Sequence, residues 1–282
     1  MMDAQDMTAV TGANYYFSGL HTPGTVMLQP AGFVRGIAEG LRGRIELFEG
    51  SPVTELKRDG SDWQVKTTQG KVTTGTVIFA NNGHLESFGF QRRRLMHVFL
   101  YATMTGELSD AEQAALGGEP RWGITPSDPM GTTMRRIDQG QGGHRIVTRT
   151  CASFLPDMQA KDRHIARATG VMRRKFDRRF ACLEGVSMEY AWAGHLCLSR
   201  NAVSVVGALD QNVFAACCQN GLGTVRGTAG GIAAAELASG MNTPMTEFFA
   251  TLAQPTRLPP APLATIGANA VLRWKEYQAR RE

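Results

Sequence analysis

Apolar side chains recur along the chain at two periods, one helical and one alternating, and the switches between them mark out the elements. Residues 15–29 set apolar positions among Gly and Pro and predict short strands around a turn at Pro23-Gly24. Pro30 opens a helix in which Phe33, Val34, Ile37, Ala38 and Leu41 fall at helical spacing, ended by Gly43. Residues 45–48 predict a strand. Residues 53–57 and 63–67 predict a hairpin across Arg58-Asp59-Gly60-Ser61. A further strand over 73–80 stops at Asn81-Asn82-Gly83, a strong turn signal.

Farther along, residues 95–105 predict a strand, and Ser109 caps a short helix over 110–116. Residues 131–138 and 143–150 predict an antiparallel pair. Between 163 and 179, Ile165, Ala168, Met172 and Phe176 recur at three-to-four spacing among arginines, which predicts a helix with one buried face and one solvated basic face. Strands follow at 186–193, 202–207 and 212–217, then a glycine-rich turn into a helix running to about Ser239. The tail is proline-rich at 255–262, hence extended, and closes with a helix over 272–280. Helix-linked strands mixed with meander pairs predict an α/β (α+β) protein with two sheets.

Composition narrows the function classes. The 282 residues, 43% hydrophobic and 20% charged, describe an ordinary globular protein larger than one minimal core. No apolar run reaches the roughly 18 residues of a membrane-spanning helix, so no membrane span is expected. The start, Met1-Met2-Asp3-Ala4-Gln5-Asp6, has neither the basic nor the apolar region of an export leader, which predicts a cytoplasmic location. The net charge of +5 is largely arginine on the solvated helix face, so no nucleic-acid partner is expected. Five cysteines, an odd number without zinc spacing, read as reduced thiols and predict no metal.

The sharpest chemical feature is the run from Asn212 to Thr224. A strand enters Asn220-Gly221-Leu222-Gly223-Thr224, which starts a helix rich in Ala and Gly. That order places free backbone N–H groups and the positive end of a helix dipole at a strand end, a site for an anion or an electron-rich carbonyl. Gly221, Gly223 and Gly227 also suggest a nicotinamide fingerprint. That fold needs a second parallel strand ending in an acidic residue about 20 residues on. Here the helix runs instead into Gly240-Met241-Asn242-Thr243-Pro244. A helix packed closely on a sheet accounts for the glycines equally well.

From Trp192-Ala193-Gly194, through Ser199-Arg200-Asn201 and Val205-Val206-Gly207, to Asn220-Gly221-Leu222-Gly223, the chain resembles the C-terminal signature of the D-amino-acid-oxidase-like flavoproteins. Within them it is most similar to the gamma-glutamylputrescine-oxidase type. Ser51-Pro52-Val53-Thr54-Glu55-Leu56 and residues 77–83 agree in order and spacing, so the resemblance runs from about Tyr15 to Arg273. It implies a two-domain glutathione-reductase-like flavoprotein fold with an antiparallel substrate-domain sheet. The substrate domain would comprise 1–29 and 88–200, the FAD-binding domain 30–87 and 201–240, and the tail 241–282.

The resemblance also implies FAD as cofactor. Val53 would meet the adenine through its main chain, and Ala80, Asn81 and Gly83 would lie on the diphosphate side. Gly207 would end the strand leading to the ring, with Asn220, Gly221, Leu222, Gly223 and Thr224 at its pyrimidine edge. The implied reaction oxidises a small amine or amino acid to an imine by hydride transfer to flavin, with no side-chain base singled out. Arg135 or Arg136 would meet a substrate carboxylate, with Tyr15, Tyr16, His97 and Trp192 as further substrate contacts. For each, a solvent-facing arginine or a core aromatic is the alternative. Cys197 does not match the offset of relatives that attach flavin covalently.

Family members begin with a strand and Gly-x-Gly-x-x-Gly for the cofactor's phosphates, and nothing before Tyr15 serves. The expectation is an N-terminally incomplete chain. It would be a fragment inactive by itself, one subunit whose partner chain supplies the loop, or a cofactor-free binding or assembly subunit derived from such an oxidase.

Overall fold

A computed structural model describes residues 1–281. In chain order the elements are α1 (Ala4–Thr11), α2 (Pro30–Gly40), β1 (Val53–Asp59), β2 (Asp62–Thr67), β3 (Lys71–Thr74) and β4 (Val77–Phe79). A 3-10 segment, Asn82–Phe88, leads to β5 (Met96–Thr105), α3 (Asp110–Leu116), β6 (Trp122–Ile124), β7 (Thr133–Ile137) and β8 (Arg145–Phe154). Then come α4 (Asp162–Arg179), β9 (Met188–Leu198), β10 (Val205–Asp210), β11 (Val213–Cys217), α5 (Gly223–Ala238), α6 (Pro244–Ala250) and α7 (Ala261–Gln278).

The strands form a five-stranded antiparallel sheet in the order β6-β7-β8-β5-β9, a meander β1-β2-β3 and a small sheet β10-β11-β4. The architecture is mixed α/β with antiparallel sheets. In the large sheet alternation decides everything: successive residues of β5 point to opposite faces. Phe99 and Tyr101 meet Ala168 and Met172 of α4 on one face. Phe176, also on α4, joins Met134, Ile146 and Phe180 in the neighbouring core cluster. Met172 and Phe176 are fully buried, each worth about 1.5–3 kcal/mol relative to exposure. Helix α7 continues β8 beyond the end of β7. Asn269 donates to Phe154 O (2.9 Å) and accepts from Phe154 N (3.0 Å), while Glu276 accepts from Ala152 N (2.9 Å).

In the small sheet β10 and β11 are antiparallel, whereas β11 and β4 are parallel, with Ala215 opposite Phe79. Helix α5 packs on it, and Gly230 permits the close approach: a Cβ there would stand 3.0 Å from Val206 Cγ2. Trp63 ties the meander to this sheet, its Nε1 donating to Gln211 O at 3.1 Å.

Several expectations are corrected. Residues 15–29 form no strand, their only ladder contact being the bridge Met2–Gly19, and residues 45–48 hold one bridge at Ile45. Neither finds a neighbouring strand with which to pair. The strand predicted over 73–80 divides at Gly75 and Thr76 between two sheets. The strand predicted at 186–193 continues to Leu198 because β5 offers partners as far as Met96. α1, β6 and α6 carry too little periodicity to have been expected, although α1 has a capping box on Asp3 and Asp6. α7 begins at Ala261, eleven residues before the closing helix expected from Leu272. No described helix is long and apolar enough to cross a membrane.

Candidate functional site

Strand β11 ends in three residues with left-handed backbones, Cys218 (φ 58°), Asn220 (φ 53°) and Gly221 (φ 81°). Asparagine tolerates that region and glycine favours it, so the chain reverses sharply before α5. Asn220 fixes the turn, its Oδ1 accepting from Ser199 N at 2.8 Å and its Nδ2 donating to Cys218 O at 2.9 Å. The turn after β4 leans on the same place. Asn82 Oδ1 accepts from Cys218 N at 2.9 Å, and Asn81 Oδ1 lies 3.6 Å from Cys217 Sγ.

Helix α5 then starts without a side-chain cap. Its N-cap is Leu222, and the first helical bond runs from Arg226 N to Leu222 O. The amides of Gly223, Thr224 and Val225 find no acceptor among the described residues. No atom lies within 4 Å of a Cβ built on Gly223. An uncapped helix start concentrates positive potential where the space is open.

That turn borders one face of the large sheet, for Leu196 Cδ1 lies 4.0 Å from a Cβ built on Gly221. By alternation Leu196 shares its face with Gly194, Trp192 and Tyr190. Trp192 stands in register with Ala102, Ala102 with Arg149 and Arg149 with Thr133, forming one row across four strands. The next row is Tyr190, Met104, Val147 and Arg135. Arg149 donates to Thr133 Oγ1 at 2.6 Å. Burial, and then the charge of Arg135, pull its pKa below the usual value. The contrast on this face is Arg145, which pairs with Glu189; that bond is the main reason its pKa is raised.

The sheet's other face is covered by α4. His97 lies there, 3% exposed, with Nε2 3.1 Å from Glu86 Oε2 and Nδ1 3.2 Å from His195 Nε2. His195 stacks on Phe99 at 5.0 Å, and burial, then the charges of His97 and His84, lower its pKa to about 4. Gly83 sits against this pair, since a Cβ there would stand 2.8 Å from His97 Nδ1.

The structure therefore sorts the candidates. It brings Asn81, Cys218, Asn220, Gly221, Leu222, Gly223 and Thr224 together, with Ala80 beside Asn81. Gly207 (φ 135°) is central in β10, opposite Ala215. Val53 opens β1, paired with Thr67 and 40% exposed, and no described contact joins it to the α5 turn. Of the substrate candidates, Arg135 and Trp192 lie on the open face. His97 and Tyr15 do not: strand alternation turns His97 to the opposite side, where Gly83, Glu86 and His195 enclose it. Tyr15 packs on the core beneath Arg179, whose guanidinium is 4.1 Å from its ring, and Tyr16 faces Met134. Arg136 also faces inward, donating to the carbonyls of Gly117 and Glu119. Arg149 and the Glu86–His97–His195 cluster had escaped notice. The alternation of Arg145, Val147 and Arg149 was the available signal for the former.

Residues 1–237 match the family model described as DAO, FAD dependent oxidoreductase. The chain belongs to this family. Its members are FAD-dependent, and the solved neighbours are flavoenzymes. The chain is 22% identical over 227 residues to the probable oxidoreductase OrdL of Haemophilus influenzae, covering 79% of this chain and 50% of that protein. It thus spans half the length of that curated relative. Glycine oxidase from Geobacillus kaustophilus superposes with a TM-score of 0.68 at 13% identity, over 86% of this chain and 63% of its own. L-amino acid deaminase from Proteus vulgaris gives 0.60 at 12%, over 86% and 67%. At such identities the likeness is one of fold.

The DAO-family cofactor can be tested against this geometry. The open, uncapped start of α5, with room at Gly223, fits the electron-rich edge of a flavin ring. Among the described residues no comparable strand–glycine–helix cradle frames a diphosphate.

Proposed function

We propose that this chain forms the ring-facing and substrate-facing part of an FAD-dependent oxidoreductase that converts an amine or amino acid to an imine. The domain division inferred from the sequence is part of this proposal. Residues 30–87 and 201–240 would bind the cofactor; residues 1–29 and 88–200 would hold the substrate. The observation that carries the proposal is the unblocked start of α5 beside the sheet face opposite α4, a face packed by α7 at Val98 and Leu100 and open at Trp192 and Tyr190.

Bound FAD would supply a hydride acceptor, so that the hydrogen on the carbon next to the substrate nitrogen would leave with its electron pair while the nitrogen lone pair forms the C=N bond and the nitrogen's proton passes to water. The chain's own residues do the rest. The free amides of Gly223, Thr224 and Val225 hold negative charge at the ring edge. Arg149 and Arg135 attract an anionic group, while Trp192 and Ala102 present an apolar floor that excludes water. The gamma-glutamylputrescine-oxidase type is the finer family expectation, and two arginines on the face favour an anionic substrate within it.

A partner-completed protein is favoured by a separate observation. β4 leaves one edge unpaired, Ile78 on it is exposed, and Phe33, Val34 and Ile37 of α2 are exposed as well. A polypeptide paired along the free edge of β4 would lie beside Asn81, on the diphosphate side that the family resemblance assigns.

Flavin fluorescence titrations on the purified chain test the assignment. Riboflavin and FAD are expected to bind with affinities within about tenfold of one another, because the described residues grip the ring. A folded chain that binds neither flavin would refute it.

A further inference from the structure

The open sheet face holds two guanidinium groups without a carboxylate to neutralise either. Arg149 is half-buried, and its one described partner is the neutral hydroxyl of Thr133, at 2.6 Å. Arg135 enters no ion pair among the described residues. Its side chain lies along β6, with Nη1 3.7 Å from a Cβ built on Gly123, in ordinary contact distance, and Met27 Sδ adjoins the same position at 3.2 Å. Arg145, on the same side of β8, shows what neutralisation looks like, because Glu189 meets it.

A desolvated arginine satisfied by one hydroxyl is a charge awaiting a counter-ion, and a second cation nearby makes the demand larger. Arg149 is the register partner of Thr133, and Arg135 lies two residues farther along β7. Diagonal neighbours of this kind have Cα atoms about 7–8 Å apart, within reach of long side chains. Arg149 reaches over β7 and Arg135 over β6, so their heads are separated by at least one strand spacing, roughly 4.8 Å. A carboxylate held through both oxygens by the fork of one arginine leaves the other arginine unpaired.

We infer that the ligand of this face carries two carboxylates, as an amino or imino acid of glutamate size or slightly longer. One carboxylate pairs with Arg149 beside Thr133, the other with Arg135 over Gly123, and the apolar part lies on Ala102 and Trp192. This rests on the oxidoreductase proposal for the identity of the reacting nitrogen, though not for the two anionic contacts.

The test uses the purified full chain and calorimetric titration, with intrinsic tryptophan fluorescence, to which Trp192 contributes, as a second signal. Each enantiomer of glutamate is compared with the same enantiomer of glutamine, which has nearly the same shape and one charge fewer. At least one enantiomer of glutamate is expected to bind about tenfold more tightly than its amide, the contribution of one charge-assisted contact at a half-exposed position. Arg135→Ala, at an exposed site, is expected to erase that ratio while leaving the melting temperature unchanged. Arg149→Gln is expected to weaken glutamate and glutamine together. Equal affinities for acid and amide, no binding of either, or a ratio that survives Arg135→Ala would each overturn the inference. A chain that binds no flavin yet keeps the ratio would remove the oxidoreductase proposal and leave the dicarboxylate site standing.

Discussion

Substituting Gly223 by aspartate separates the fold from the cofactor site, because the two respond with opposite sign. Gly223 is the first residue of α5, its φ is not positive, and a Cβ would have no neighbour within 4 Å. The fold therefore accommodates the side chain without displacement. A carboxylate in the first turn interacts favourably with the helix dipole by about 0.3–1 kcal/mol. Replacing a helical glycine adds a similar amount through the unfolded chain. The melting temperature is expected to stay level or rise by about 2–4 °C, the shift that about 1 kcal/mol produces in a chain of this size. Flavin meets the reverse situation. The carboxylate takes the amides that would hold the ring edge and sets its charge against the ring's carbonyl oxygens, at a cost of about 1–1.5 kcal/mol for each of roughly two hydrogen bonds lost. Riboflavin affinity is expected to fall at least about 100-fold, equivalent to about 2.7 kcal/mol. Scanning fluorimetry and riboflavin fluorescence quenching on the same preparation read both effects. Flavin retained within a few-fold, or a melting temperature that falls, would refute the placement of the ring at this helix start.

Two further outcomes follow from the joint between the sheets. Gly83→Ala drives a methyl group to 2.8 Å from His97 Nδ1 and 2.9 Å from His195 Cε1, so it is expected to destabilise the fold by about 1–3 kcal/mol in urea titrations; an unchanged midpoint would show that the histidines move aside freely. His195 has its pKa lowered from 6.5 to about 4, so between these values the unfolded chain binds a proton that the folded chain refuses. This contribution to stability is complete above pH 6.5 and is lost as the pH falls towards 4, amounting to about 1–3 kcal/mol after allowance for partial exposure. His195→Phe, which keeps the stack on Phe99, is expected to flatten the slope, and a mutant profile parallel to the wild type would exclude His195 as its source.

The sequence was most informative where periodicity and turn chemistry agreed. The basic helix α4, the hairpin β1–β2 and the glycine-rich start of α5 were all legible, because each has a strong local signature. Asn220 and Gly221 announced a reversal, and the structure shows why, in their left-handed backbones. What could not be read was which face of each strand would be covered. Arg135 and Arg136 are adjacent and chemically alike, yet one lies open and the other donates to the carbonyls of a loop. His97 reads from sequence as a wall of the site, whereas the segment carrying Gly83 and Glu86 covers it. Arg149 becomes notable only when Thr133 and Ala102 are seen on either side of it. Sheet register is a long-range property, and the stretch from 145 to 150 contains no hint of its neighbours.

Between Ala13 and Trp63 no residue is buried, although this stretch includes α2 and β1. Over residues 17–52, none of which packs on a core cluster, opening has a free energy near zero, whereas the sheet under α4 opens only with the whole molecule. Amide hydrogens from 17 to 52 would exchange rapidly while those of β5 and β8 persist. Any molecule that settles on Phe33 and Ile37 therefore contributes twice, by hiding apolar surface and by ordering a segment that otherwise breathes.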